Sequence, residues 1–222
     1  MNILLFGATG MVGQGVLREC LLDPEVQSVV AIGRSASGNR HPKLRQIVHP
    51  DLMDYASLEA ELTGFDACFF CLGVSSAGMK EDAYTRITYG YTMAAAEVLA
   101  RLNPRITFNY VSGAGTDSSE RGRSMWARVK GRTENALLRL PFKAAYMFRP
   151  GAIEPLHGIR SKTPSYQFFY SLLGPLLSLL RRAFPNLVTT TEAVGRAMLV
   201  VAKRGAPQPI LESRDIVALA RS

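Results

Sequence analysis

Short apolar runs alternate with amphipathic stretches over the first two thirds of this chain, separated by glycine, proline and aspartate. The run Ile3-Leu4-Leu5-Phe6 is the length of one buried strand. Behind it Val12, Val16, Leu17, Cys20 and Leu21 recur at helical spacing, and Asp23-Pro24-Glu25 ends that helix. Val26 to Ile32 and Leu44 to Val48 read as two further strands, and a turn at His49-Pro50-Asp51-Leu52 leads into Tyr55 to Leu62. Phe65 to Gly73 is almost continuously apolar, as a central strand covered on both faces must be. Asp82 to Leu102 predicts a helix, Ile106 to Val111 a strand, Ser124 to Leu140 a helix and Ala144 to Phe148 a strand. This alternation predicts an α/β fold, a doubly wound, mostly parallel sheet with helices on both faces.

The order loosens after Ala152. Ser165 to Leu180 is strongly apolar, contains Gly174-Pro175 and runs into Arg181-Arg182. It is short for a transmembrane span. A kinked helix or helix pair over a substrate cleft is the preferred reading; a membrane-surface helix and a subunit interface are the alternatives. Glu192 to Lys203 predicts a helix, Pro209 to Leu211 a late strand and Asp215 to Ala220 a terminal helix. With 222 residues, the chain suits one domain, 1–222, in which 151–222 is expected to be a small, cleft-covering helical part.

The candidate chemistry begins where the first strand breaks into Gly7-Ala8-Thr9-Gly10-Met11-Val12-Gly13. A glycine-spaced turn between a strand and a helix is the setting of a dinucleotide site. Gly7 permits a tight turn, Gly10 lets backbone approach a pyrophosphate, and Gly13 lets helix and strand close up. A triphosphate P-loop is disfavoured, since no Lys-Ser/Thr pair follows the last glycine. The plain alternative is a strand-to-helix turn that binds nothing. At the end of the second strand, where an acid would accept from a free ribose hydroxyl, stand Gly33, Arg34 and Ser35. An arginine there suits a 2′-phosphate, so NADP(H) is expected over NAD(H). A surface arginine in a polar loop is the competing reading. Asp51 either accepts from an adenine amino group or caps its turn.

Composition narrows the classes. Hydrophobic residues make up 47% and charged residues 20%, ordinary for a soluble globular protein. The charge of +8, carried mainly by arginine, is spread out with no finger, helix-turn-helix or aromatic-basic signature, which argues against nucleic acid. Three cysteines and no signal-peptide pattern point to a reducing cytoplasm. Cys68 and Cys71 have C-x-x-C spacing, but positions three apart on a strand face opposite ways, and no second pair completes a zinc site. His41, His49 and His157 are scattered and form no metal set.

Taken with Cys71-Leu72-Gly73, Val111-Ser112, Val129-Lys130-Gly131 and Phe148-Arg149-Pro150-Gly151, the glycine motif resembles the atypical short-chain dehydrogenase/reductase superfamily. It is most similar to the small Tat-interacting-protein-like NADPH-binding group. The resemblance implies a Rossmann-type fold, with Gly7, Thr9, Gly10, Met11, Val12, Gly13, Arg34, Ser35, Asp51, Leu52, Leu72, Gly73, Lys130, Pro150 and Gly151 about the cofactor. It also implies a Ser/Tyr/Lys reaction centre in which the tyrosine precedes the lysine by four residues, on one helix face. Ser112 matches the serine and Lys130 the lysine, but Trp126 occupies the tyrosine position. An indole N–H donates a hydrogen bond and is no acid or base near neutral pH.

Three accounts follow. Tyr110 or Tyr84 replaces the phenol; or water or substrate supplies the proton; or NADPH binds without turnover. The expected activity is hydride transfer to or from a small carbonyl or alcohol. The alternatives are a non-catalytic NADPH-binding regulatory or interaction protein and a nucleotide-sugar epimerase or dehydratase. The substrate stays unassigned, and the chain is expected as a monomer or homodimer.

Overall fold

The computed structural model describes residues 1–159 and 188–222, so Ser165–Leu180 lies outside the described residues. Seven parallel strands form the central sheet: β1 (Asn2–Phe6), β2 (Ser28–Gly33), β3 (Leu44–Val48), β4 (Ala67–Phe70), β5 (Thr107–Val111), β6 (Ala144–Arg149) and, late in the chain, β9 (Ile210–Glu212). Their order across the sheet is β3-β2-β1-β4-β5-β6-β9. β7 (Ala152–Glu154) and β8 (Val188–Thr190) make a separate parallel pair. The α-helices among the described residues are α1 (Met11–Leu22), α2 (Glu81–Thr85), α3 (Tyr91–Leu102), α4 (Met125–Leu137), α5 (Thr191–Arg204) and α6 (Ser213–Leu219).

Burial on both faces follows from the period-2 geometry of the strands. In β1, Ile3 and Leu5 point into a core shared with Val16, Leu17 and Cys20 of α1 and Val194 and Met198 of α5. Leu4 and Phe6 point into the opposite core, with Met93 and Leu99 of α3 and Leu137 of α4. All four β1 side chains are at most 1% exposed, each contributing roughly 1.5–3 kcal/mol of transfer free energy. Cys68 belongs to one core and Cys71 packs against the other, the opposite-face arrangement expected from their spacing. Burial pushes all three thiols above their ordinary pKa.

The doubly wound sheet is therefore as predicted, with local differences. The predicted helix over Asp82–Leu102 is interrupted by a π-helical turn at Arg86–Gly90. There the Thr92 hydroxyl donates to the Thr88 carbonyl at 2.6 Å. Apolar periodicity carries no mark of one inserted residue. Tyr55–Leu62 tightens to a 3₁₀ turn over Ala56–Glu61. The residues after 187 join the main fold: α5 packs on α1 and β9 extends the main sheet beside β6. The β7–β8 pair has no sequence signal, since three-residue strands are too short to show alternation.

Candidate cofactor and active site

The strand order reverses between β1 and β4, and the carboxyl ends of these two strands open a crevice. Gly7 sits there at φ +81, and a Cβ on it would lie 2.6 Å from the Leu72 nitrogen. A Cβ on Gly13 would overlap the Gly7 carbonyl oxygen and stand 2.6 Å from its carbon. These two glycines are required by the protein's own packing. Gly10 is not: its Cβ would meet only the Gly7 oxygen, at 3.4 Å, at an ordinary φ of −80.

Gly10 is the N-cap of α1, gives it no capping side chain, and no acid stands in the first turn. The N–H groups and dipole of the helix therefore lack the side-chain acceptor that usually satisfies them. Met11 and Val12 form the start of that turn, and Thr9 is fixed by a Gln14 amide donating to its carbonyl at 3.2 Å.

Beside the turn lies a cavity of about 90 Å³ lined by Gly7–Thr9, Gly33, Arg34, Ser35 and Leu72, among others. The Arg34 side chain makes no ion pair or hydrogen bond among the described residues, although the chain's other arginines supply many of the ion pairs elsewhere. Gly73 faces open space. Asp51 takes its capping role: one carboxylate oxygen accepts from the Met53 N–H at 2.9 Å. The Leu52 side chain is buried in the core, so only its backbone is left for a ligand.

At the carboxyl ends of β5 and β6 the geometry departs from the expected triad. The Ser112 hydroxyl is buried and donates to Glu134 Oε1 at 2.5 Å, with the Phe148 carbonyl oxygen 3.1 Å away. Glu134 on α4 is fully buried and receives Arg149 through Nε at 3.0 Å and Nη2 at 2.5 Å. Arg149 further reaches Ser118 at 2.6 Å and Glu212 at 3.3 Å. The hydrogen bonds it donates to Glu134 hold the guanidinium above its ordinary pKa, so it stays charged. This network ties β5, α4, β6 and β9 together beneath the crevice. It escapes motif reading, yet its signal is present: Glu134 is four residues after Lys130, on the same helix face.

Lys130 donates to the Ser112 carbonyl oxygen, and burial lowers its pKa to about 8 against the opposing pull of Glu134. Trp126 lies against Gly115, with an indole carbon 3.5 Å from where a Cβ would stand. The backbone of the motif after β6 is engaged as well: Ala114 donates to the Pro150 carbonyl at 2.9 Å and Gly151 to the Ser213 hydroxyl at 2.6 Å. Tyr110 and Tyr84 are each 1% exposed, and burial raises the Tyr110 pKa. Both phenols are buried away from the surface, and Tyr110 packs in the aromatic core beside Phe70.

The depressed Lys130 value has a stability consequence. The unfolded chain keeps this proton up to about pH 10.5, whereas the folded chain releases it near 8. Between these values the unfolded state binds more protons, so this position gains stability as pH rises. Relative to Lys130→Met, the wild type should become more stable from pH 8 to 10.5 in urea titrations. A pH-independent difference would contradict the burial.

Residues 3–121 match the NAD dependent epimerase/dehydratase family. The chain belongs to that family. Rat protein HTATIP2 is 28% identical over 155 residues, 68% of this chain and 62% of that protein, so the chain spans less than two thirds of it. The protein fmp52 of Emericella nidulans is 26% identical over 204 residues, covering 88% and 84%. Both bear out the resemblance to the Tat-interacting-protein-like atypical short-chain dehydrogenase/reductases.

Solved structures of this family type share the fold. WbmF of Bordetella bronchiseptica in complex with NAD⁺ superposes with a TM-score of 0.66 at 15% identity, over 98% of this chain and 76% of that one. The UDP-N-acetylglucosamine 4-epimerase of Methanobrevibacter ruminantium gives 0.69 at 15%, over 94% and 74%. The family is that of nucleotide-binding, oxidoreductase-like Rossmann proteins.

One expectation needs correction. The fungal Fmp52 relatives are named as mitochondrial, which points against a purely cytoplasmic location. Cysteine count and spacing do not distinguish one compartment of a cell from another. Among the described residues no helix is long and apolar enough to cross a membrane.

Proposed function

We propose that this family member binds NADP(H) across the β1–β4 crevice and transfers hydride to or from a small carbonyl or alcohol. The observation that carries the proposal is an uncapped helix N-terminus at Gly10 beside a cavity rimmed by Arg34, which is unpaired among the described residues. The residues fit a 2′-phosphorylated dinucleotide. Gly10 has room that the protein's own packing leaves unused, and no acid stands at the end of β2 to compete with a phosphate.

In this reading the backbone from Gly7 to Gly13 and the N-terminus of α1 hold the pyrophosphate. Arg34 and Ser35 hold the 2′-phosphate, and Lys130 holds the nicotinamide ribose. Leu72, Gly73, Pro150 and Gly151 line the path between. The dinucleotide, when bound, supplies the hydride. Ser112 keeps its hydroxyl on Glu134 and serves to fix the strand end. The proton comes from water or from the substrate, since the tyrosine position carries an indole.

A second reading, a non-catalytic NADPH-binding protein, is favoured by the same three facts: Trp126, the engaged Ser112 hydroxyl and the buried phenols. NADPH oxidation against a panel of small carbonyls, for wild type and Trp126→Tyr, separates the two. Slow turnover in the wild type is expected, rising by about 10²-fold or more with the restored phenol acting as general acid. Cofactor binding by both proteins with turnover by neither would establish the second reading.

A further inference from the structure

The loop that carries Arg34 is held in shape from below by one side chain. Gln46 lies on β3, in register with Ala31 of β2, and lines the same cavity as Arg34 and Ser35. Its Oε1 accepts from the Ser37 N–H at 2.6 Å and from the Ser37 hydroxyl at 2.8 Å. Its Nε2 donates to the Asn39 carbonyl oxygen at 2.9 Å. The Ser37 hydroxyl oxygen in turn accepts from the Asn39 N–H at 3.3 Å. One amide thus satisfies both ends of the segment from Ser37 to Asn39, whose middle residue, Gly38, turns at φ +80. Arg34 and Ser35, just ahead of this clamp, are exposed and spend no side-chain hydrogen bond among the described residues.

We infer that Gln46 is a positioning residue for cofactor selectivity, the clamp that presets the Arg34–Asn39 loop around a ribose 2′-phosphate. The inference rests on the NADP(H) reading above. Its physical content is preorganisation. A six-residue exposed loop that must be ordered at each binding event charges that ordering to the affinity, whereas a loop already fixed does not. The effect is confined to the 2′-phosphate, because the pyrophosphate is met by Gly7 to Gly13 on another segment. The pair of donors kept free by the clamp, a guanidinium and a hydroxyl, is matched to a dianionic phosphate. Among the described residues no carboxylate lines this cavity.

The test is calorimetric titration of NADPH and NADH into wild type, Gln46→Ala, Gln46→Glu and Arg34→Ala, with melting temperatures alongside. Gln46→Ala should weaken NADPH by roughly tenfold while NADH changes by less than about twofold. Gln46→Glu keeps the acceptor for Ser37 but loses the donor to Asn39 and adds a negative charge to the cavity. It should weaken NADPH further still and leave NADH unchanged.

Ser37→Ala removes the two hydrogen bonds of the hydroxyl, to Gln46 and from the Asn39 N–H, and leaves the Ser37 N–H on Gln46. It gives a milder version of the same selective loss, about threefold, should Gln46→Ala fold poorly. If Arg34→Ala erases the NADPH preference and the Gln46 and Ser37 variants retain it, the clamp is refuted while the cofactor reading stands. Equal weakening of both cofactors would make Gln46 merely structural and also refutes the inference. A wild type without NADPH preference would overturn the cofactor reading and the clamp together.

Discussion

Glu134→Ala should destabilise the fold by about 3–5 kcal/mol, because it leaves a buried guanidinium without its counter-charge. Glu134 is fully buried and takes two hydrogen bonds from Arg149 and one from Ser112. Removing the carboxylate takes an acceptor from all three donors at once, leaving the Ser112 hydroxyl only the Phe148 carbonyl and the Arg149 Nη2 only Ser118. The remaining anionic partner, Glu212, contacts Arg149 at 3.3 Å from a half-exposed position and compensates little. Chemical denaturation reads the loss directly. The double variant Glu134→Leu/Arg149→Met should recover much of it, since no unpaired charge then remains in the core. A loss below about 1 kcal/mol in the single variant would put the network on the level of a surface ion pair.

Gly13→Ala and Gly10→Ala should behave as opposites, although both add one methyl group to the same turn. At Gly13 the new Cβ runs into the Gly7 carbonyl, so helix and strand must separate. The expected cost is about 3 kcal/mol, the upper end for overpacking, because backbone has to move. At Gly10 the nearest atom is 3.4 Å away and φ is −80, so an alanine fits. The stability loss there should stay within about 1 kcal/mol, the usual difference between glycine and alanine at an N-cap. The same methyl occupies the space over the α1 N-terminus and should weaken dinucleotide binding by at least about tenfold. Urea midpoints and NADPH titrations on the two variants give the comparison. If Gly10→Ala binds as the wild type does, the phosphates lie elsewhere.

The sheet was legible because buried parallel strands write themselves as apolar runs. Ile3–Phe6 and Phe65–Leu72 are such runs, and both are central. The glycine turn was legible because its spacing has a mechanical cause, now visible at Gly7 and Gly13. What escaped was set by contacts distant in sequence. Glu134 reads as one more polar residue of α4 until Arg149, 15 positions on, is brought against it. Ser112 matches a motif position, but its hydroxyl direction is decided by that same carboxylate. Gln46 sits in an edge strand where polar residues are unremarked, and its meaning comes from Ser37 and Asn39 folding over it. The π-helical turn at Arg86–Gly90 and the three-residue strands β7 and β8 lie below the length at which periodicity speaks. Asp51 offered two roles, and one of its carboxylate oxygens caps the turn through the N–H of Met53, two residues on.

The most direct test of the central claim, a 2′-phosphorylated dinucleotide at the β1–β4 crevice, is calorimetric titration of NADPH and NADH into the wild-type protein. One site is expected, with NADPH bound at least about tenfold more tightly than NADH. Saturation by neither dinucleotide, or by both with equal affinity, would contradict it.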